Sequence, residues 1–84
     1  MKIKTNISEL SLGSVGIVAG YSAAYGGYIG KLISKGLTPG ISFVVLNSNL
    51  SQGAVQIMLE EKIIILSKPE VNALCIDTAI EDNL

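Results

Sequence analysis

Seven acidic side chains, one thiol and no imidazole set the limits of the chemistry open to this 84-residue chain. Histidine is the usual general base near neutral pH and the commonest metal ligand, so its absence argues against an enzyme and against an ordinary zinc or nonheme iron centre. One cysteine, Cys75, does not make up for it, and Glu60, Glu61, Glu70, Asp77, Glu81 and Asp82 show no ligand spacing. We therefore expect no catalytic residue, no cofactor and no metal site in the chain alone. Glu60-Glu61 reads as the solvated turn of a hairpin rather than an acid pair. Gly26-Gly27-Tyr28-Ile29-Gly30 precedes a helix as a phosphate cradle would. It lacks the Lys-Ser/Thr of a P-loop and any dinucleotide fingerprint, so the glycines are read as letting the chain swing into the helix.

What remains is contact chemistry. Tyr21, Tyr25 and Tyr28 cluster ahead of the helix, and such amphipathic rings either meet a partner or pack on the domain. Tyr21 and Tyr25, in the connecting segment, are the interface candidates, while Tyr28 is the packing one. Leu50 is a lone large apolar residue in the polar stretch Asn47 to Gly53, and it either folds back or inserts into a partner. With Lys31 on the helix and Leu32 supporting it, the expected partner-binding residues are Tyr21, Tyr25, Lys31, Leu32 and Leu50.

Local pattern supplies the elements that position them. Tyr28, Ile29, Leu32 and Ile33 repeat at helical spacing, Lys31 and Lys35 lie where the helix dipole favours cations, and Gly36 sits where a left-handed cap needs no Cβ. Thr38-Pro39-Gly40 then reads as a type II turn, because proline presets the second position and glycine accepts positive φ at the third. Strands are expected over residues 15–20, 40–47, 53–60, 63–67 and 74–78, with Ile41, Phe43 and Val45 sharing one face and Val55, Ile57 and Leu59 another. Asn6 with Glu9, and Ser67 with Glu70, have the spacing of capped helical turns, and the chain should fray from Thr78 onward. Five short strands with one inserted helix avoid exposed edges best as a barrel. The fold class expected is all-β with one short inserted helix, a small SH3-like β-barrel in a single domain whose core runs from about residue 7 to 80.

Composition narrows the partners. Six lysines against seven acidic residues leave a net charge of −1, which offers no pull on a phosphate backbone or anionic lipid, so nucleic acid is not expected. The longest apolar runs fall far short of the roughly 20 residues that cross a bilayer, and the N-terminus carries no secretion signal. A lone cysteine fits a reducing compartment, and we expect a cytosolic protein without direct membrane insertion. Apolar residues are 49% of the chain, which is more than so small a core hides. Either an apolar surface is kept for contact, a possible homo-oligomer included, or a thin barrel leaves its side chains half buried.

Three segments together resemble the bacterial ferrous iron transport protein A family (FeoA-like). Ile7-Ser8-Glu9-Leu10-Ser11-Leu12-Gly13 looks like the family opening, Lys35-Gly36-Leu37-Thr38-Pro39-Gly40 like its central helix end and turn, and Leu66 to Leu74 like its closing segment. The resemblance implies a nonenzymatic accessory protein of ferrous iron uptake, docking on the cytosolic GTPase-bearing part of the ferrous iron permease. Departures matter: Ile29 and Gly30 stand where the family helix carries arginines, Lys35 replaces a leucine, Leu12 replaces a proline, and Asn49, Ser51 and Gln52 replace the residues flanking the family's loop leucine. A competing reading is an SH3-like adaptor, or the detached C-terminal domain of a metal-dependent transcriptional repressor, which shares the barrel architecture.

The turn assignment is directly testable, since Gly36, Pro39 and Gly40 are its structural residues. Gly40→Val should cost about 1 to 3 kcal/mol through strain at positive φ, read as a lowered denaturation midpoint.

Overall fold

Successive side chains of a strand face opposite ways, and from Val55 to Leu59 the odd positions are buried while Gln56 and Met58 are not. The same alternation in the segment Ser42–Asn47 buries Phe43 and Val45. The computed structural model describes residues 2–48 and 50–79. It contains β1 (Lys2–Thr5), β2 (Val15–Tyr21), β3 (Ser42–Asn47), β4 (Val55–Leu59), β5 (Lys62–Leu66) and β6 (Leu74–Ala79), with two short helices, α1 (Ile29–Ser34) and α2 (Lys68–Ala73).

The strands form one antiparallel sheet in the order β1-β6-β2-β3-β4-β5. Register shifts between Val18 and Gly20 and between Val45 and Asn47 bend β2 and β3, as bulges do, and curl the sheet over its core. Phe43, Val45, Val55, Ile57, Leu66 and Ile76 supply the sheet side of that core. Ile7, Leu32, Leu37 and Val71 close it from the helical segments. The mostly β, SH3-like expectation holds, with differences of detail. The sheet has six strands rather than five, because β1 pairs with β6 from Thr5↔Ile76 to Lys2↔Ala79. That pairing also holds Thr78 and Ala79 in the sheet, where fraying was expected; residues 80–84 lie outside the described residues. Among the described residues β1 and β5 do not pair with each other, so the barrel is open. The capped turn at Ser67 continues into α2, a second short helix.

The junction from α1 to β3 is built almost wholly from backbone. Gly36, at φ +92°, ends the helix with Gly36 N–H donating to Ile33 C=O at 2.9 Å and Leu37 N–H to Leu32 C=O at 3.0 Å, a Schellman cap whose two apolar members, Leu32 and Leu37, are fully buried. Gly40 then takes φ +93° and Ile41 N–H donates to Thr38 C=O at 3.1 Å, which makes Thr38-Pro39-Gly40 a type II turn as expected. Val18 fastens the turn to β2, accepting from Gly40 N–H at 2.8 Å and donating to Ile41 C=O at 2.9 Å.

Gly16 shows how tightly the core is fitted. It pairs with Phe43 across β2 and β3, and a Cβ on Gly16 would lie 2.6 Å from the Phe43 ring tip. Gly16→Ala should displace the ring and cost about 1 to 3 kcal/mol, seen as a lowered midpoint in chemical denaturation with unchanged m-value.

Candidate partner-binding surface

The chain leaves β2 at Tyr21 and turns through a short 3-10 segment, Ala23–Tyr28, before α1. Ser22 N–H donates to Ala73 C=O at 2.8 Å, which pins the start of that segment to the end of α2. Tyr25 departs from helical angles at φ −119° and ψ 38°, and it lies exposed on the surface. Lys31 is also exposed, its ammonium 5.3 Å from the Tyr28 ring centroid, a cation–π distance. Tyr28 itself packs against the core, as expected of it.

Two of the expected contact residues have other work. Leu32 is fully buried at the Schellman cap, so it belongs to the core and not to a binding surface. Helical spacing marked Leu32 as apolar, but it could not show that Leu37 and the sheet would cover it. Tyr21 is half-buried against the core and its hydroxyl donates to Leu37 C=O at 2.7 Å, so it braces the segment between the cap and the turn. Leu50 is half-buried ahead of a single 3-10 turn, Ser51–Gly53, in which Gln52 and Gly53 take φ of 62° and 78°. Asn49, one of the loop's departures from the family pattern, lies outside the described residues.

Reasoning from sequence missed the larger apolar surface. Ile33 on α1 is half exposed. On the outer face of the sheet, Val15, Val44, Met58 and Ile63 occupy successive registered positions across β2, β3, β4 and β5. Val15, Met58 and Ile63 are exposed there, and Ile65 lies beyond on β5. The signal was present in Met58 and Ile63, apolar residues in the polar phase of their strands. It becomes legible only once register shows that they are neighbours.

The strongest polar feature is Glu70, only 5% exposed. As third residue of α2 it completes a capping box with Ser67, its Oε1 accepting from Ser67 N–H and Oγ, each at 2.9 Å. Lys35, the residue just past α1, donates to Glu70 Oε2 at 2.7 Å and Oε1 at 2.9 Å, and also to Ile65 C=O at 3.2 Å. Burial pushes this carboxyl up, but the bonds from Lys35 and Ser67 and the Lys35 charge outweigh it and hold Glu70 below the usual carboxylate range. Oε1 accepts three of these bonds and Oε2 one, so the group is held as a structural one. Among the described residues no three His, Cys, Asp or Glu side chains gather as a metal site requires; Glu81 and Asp82 lie outside them. Glu60 and Glu61 form the exposed β4–β5 turn, both at positive φ, 50° and 71°. Cys75 is half-buried on β6. No helix among the described residues is long and apolar enough to cross a membrane.

The FeoA domain family model matches residues 5–78. An iron uptake regulatory protein (FeoA) of known crystal structure superposes with a TM-score of 0.76 at 26% identity, covering 92% of this chain and 99% of that one. A FeoA-like protein from Clostridium acetobutylicum gives a TM-score of 0.79 at 16% identity over 100% and 96% of the two chains. A manganese-dependent transcriptional repressor reaches 0.81 at 18% identity, but there the match covers 94% of this chain and only 44% of the repressor. No curated protein sequence matches the chain.

A depressed carboxylate pKa stabilises the fold above the value in the unfolded chain and is lost as pH falls through the folded value. Stability should therefore decline as pH drops below about 4.5, the reference value for this carboxyl. Lys35→Met should remove that part of the acid-side decline and cost about 1 to 3 kcal/mol at neutral pH, because it strands a buried charge. Urea titrations at several pH values would read both effects.

Proposed function

This chain belongs to the FeoA domain family, and from that premise we propose that it is a nonenzymatic accessory of ferrous iron uptake that docks on the cytosolic, GTPase-bearing part of an iron permease. The observation that carries the reading is the extent of the family match, which takes in the N-terminal capped turn, the α1 cap, the type II turn and the α2 capping box. A small iron-transport-associated domain is the common ground of the family and of the FeoA structure it resembles. Docking is the step beyond it. The absence of histidine and the engaged state of Glu70 leave contact rather than catalysis as the means of action. We place the protein in the cytosol because that is where the GTPase part of such a permease stands.

The contact surface we assign is the exposed side of the 3-10 segment and α1, with Tyr25, Lys31 and Ile33 as its principal groups and Leu50 as a separate flanking contact. Aromatic and aliphatic anchors of this kind carry most of the energy of an interface, with a charge at the rim. Tyr21 and Leu32 support it from below. The second reading, a repressor C-terminal domain acting apart from its DNA-binding part, rests on the fold shared with the manganese-dependent repressor. Binding of the isolated chain to a repressor's DNA-binding domain, in place of the permease, would favour it.

Tyr25→Ser with Ile33→Ser should weaken binding to the permease's cytosolic domain by more than about 1 kcal/mol, with the melting temperature nearly unchanged. Titration calorimetry with Leu50→Ser as a separate variant would check the surface. Normal binding by both variants would place the contact elsewhere.

A further inference from the structure

β5 is the edge of the sheet beyond β4, and its sequence, Lys62-Ile63-Ile64-Ile65-Leu66, is the most apolar strand placed at an edge. The hairpin that leads into it decides which backbone groups point outward. Leu59↔Lys62 closes the two-residue turn at Glu60-Glu61, and the pairing continues through Ile57↔Ile64 to Val55↔Leu66. Glu60 and Glu61 both have positive φ, the I′ geometry in which the closing pair is hydrogen-bonded. Hydrogen-bonded pairs alternate along an antiparallel ladder. Lys62, Ile64 and Leu66 therefore spend their amides on β4, and Ile63 and Ile65 turn theirs away from the sheet. Lys35 agrees with this parity, since it reaches Ile65 C=O from outside the sheet.

We propose that two copies of the chain associate through β5, antiparallel about a two-fold axis at Ile64. In that register Ile63 of one copy stands opposite Ile65 of the other, and the outward amides and carbonyls of these two residues pair mutually. The strand is complementary to itself in three respects. First, Ile63 and Ile65 are 59% and 55% exposed, and each would cover the other's exposed side chain on the outer face. Second, the apolar row Val15–Val44–Met58–Ile63 runs up to this edge, so the row of one copy continues into Ile65 of the second. Third, the antiparallel arrangement sets the β4–β5 turn of one copy toward the end of β5 in the second, so Glu60 faces the end that carries Lys68, both exposed and opposite in charge.

Lys35 limits the association without preventing it. A carbonyl has two lone pairs, so Ile65 C=O can hold the ammonium and accept one strand bond. A lysine at a sheet edge restrains pairing, so the association is a reversible dimer. The two-fold uses up both β5 edges, which closes the assembly rather than extending it. This surface is distinct from the exposed side of α1 assigned to the permease, so the two associations can fail independently.

Sedimentation velocity on the full chain, from about micromolar to about millimolar, would test it. Wild type should pass from monomer to dimer, and the Ile63 and Ile65 amides should exchange more slowly as concentration rises. Ile65→Pro removes an outward N–H that β4 does not use and should abolish the dimer with little change in melting temperature. Glu60→Lys should weaken dimerisation about tenfold, and Glu60→Lys with Lys68→Glu should restore it. A wild type that stays monomeric at every concentration overturns the proposal. So does a dimer that the charge exchange neither weakens nor restores, which also decides the matter if Ile65→Pro unfolds.

Discussion

A carboxylate loses its hydration when it is buried, and it is tolerated there only when its charge and lone pairs are met by the protein. Glu70 meets that condition with groups from three places: Ser67 at the start of its own helix, Lys35 just beyond α1, and through Lys35 the Ile65 carbonyl of β5. The residues it joins are far apart in the chain, and no strand pairing links α1 to α2. The apolar side chains of the two helices, Leu32 and Val71, make the same connection without direction. The ion pair adds geometry to it, fixing where α1 stops relative to the edge of the sheet.

Much of this was legible from sequence where the cause is local. The Schellman cap at Gly36, the type II turn at Pro39-Gly40 and the capping box at Ser67 each depend on residues within a few positions of one another, and each appears as read. The buried faces of β3 and β4 follow from alternation alone. What was not legible depends on partners distant in the chain. Nothing within Lys2–Thr5 marks it as a strand, since it becomes one by lying against β6. Lys35 reads locally as a charge for the helix dipole, and its real partner stands thirty-five positions on. Tyr21 and Leu32 were assigned to a contact surface because their cover comes from Leu37 and the sheet.

The same fold in a FeoA protein and in a manganese-dependent repressor shows that the architecture does not choose between the two roles. The difference lies in what the domain presents. This chain offers no gathered ligand set among its described residues, and it carries exposed aliphatic and aromatic groups on α1 and on the outer sheet face.

The position of β6 bears on how the protein is made. It is the last of the described strands in chain order, yet it lies between β1 and β2, and Ile17 pairs with Asp77 across most of the chain. A ribosome releases β2 to β5 first, and these can pair in chain order, β2 with β3 across the α1 segment and β3 to β5 through shorter connections. Until β6 emerges, the backbone of β2 stays open on one side and β1 has no strand to join. The nascent chain thus carries a sticky edge from the emergence of β2 until that of β6, the interval in which chaperone binding or misassembly with a neighbouring chain would compete with completion of the sheet.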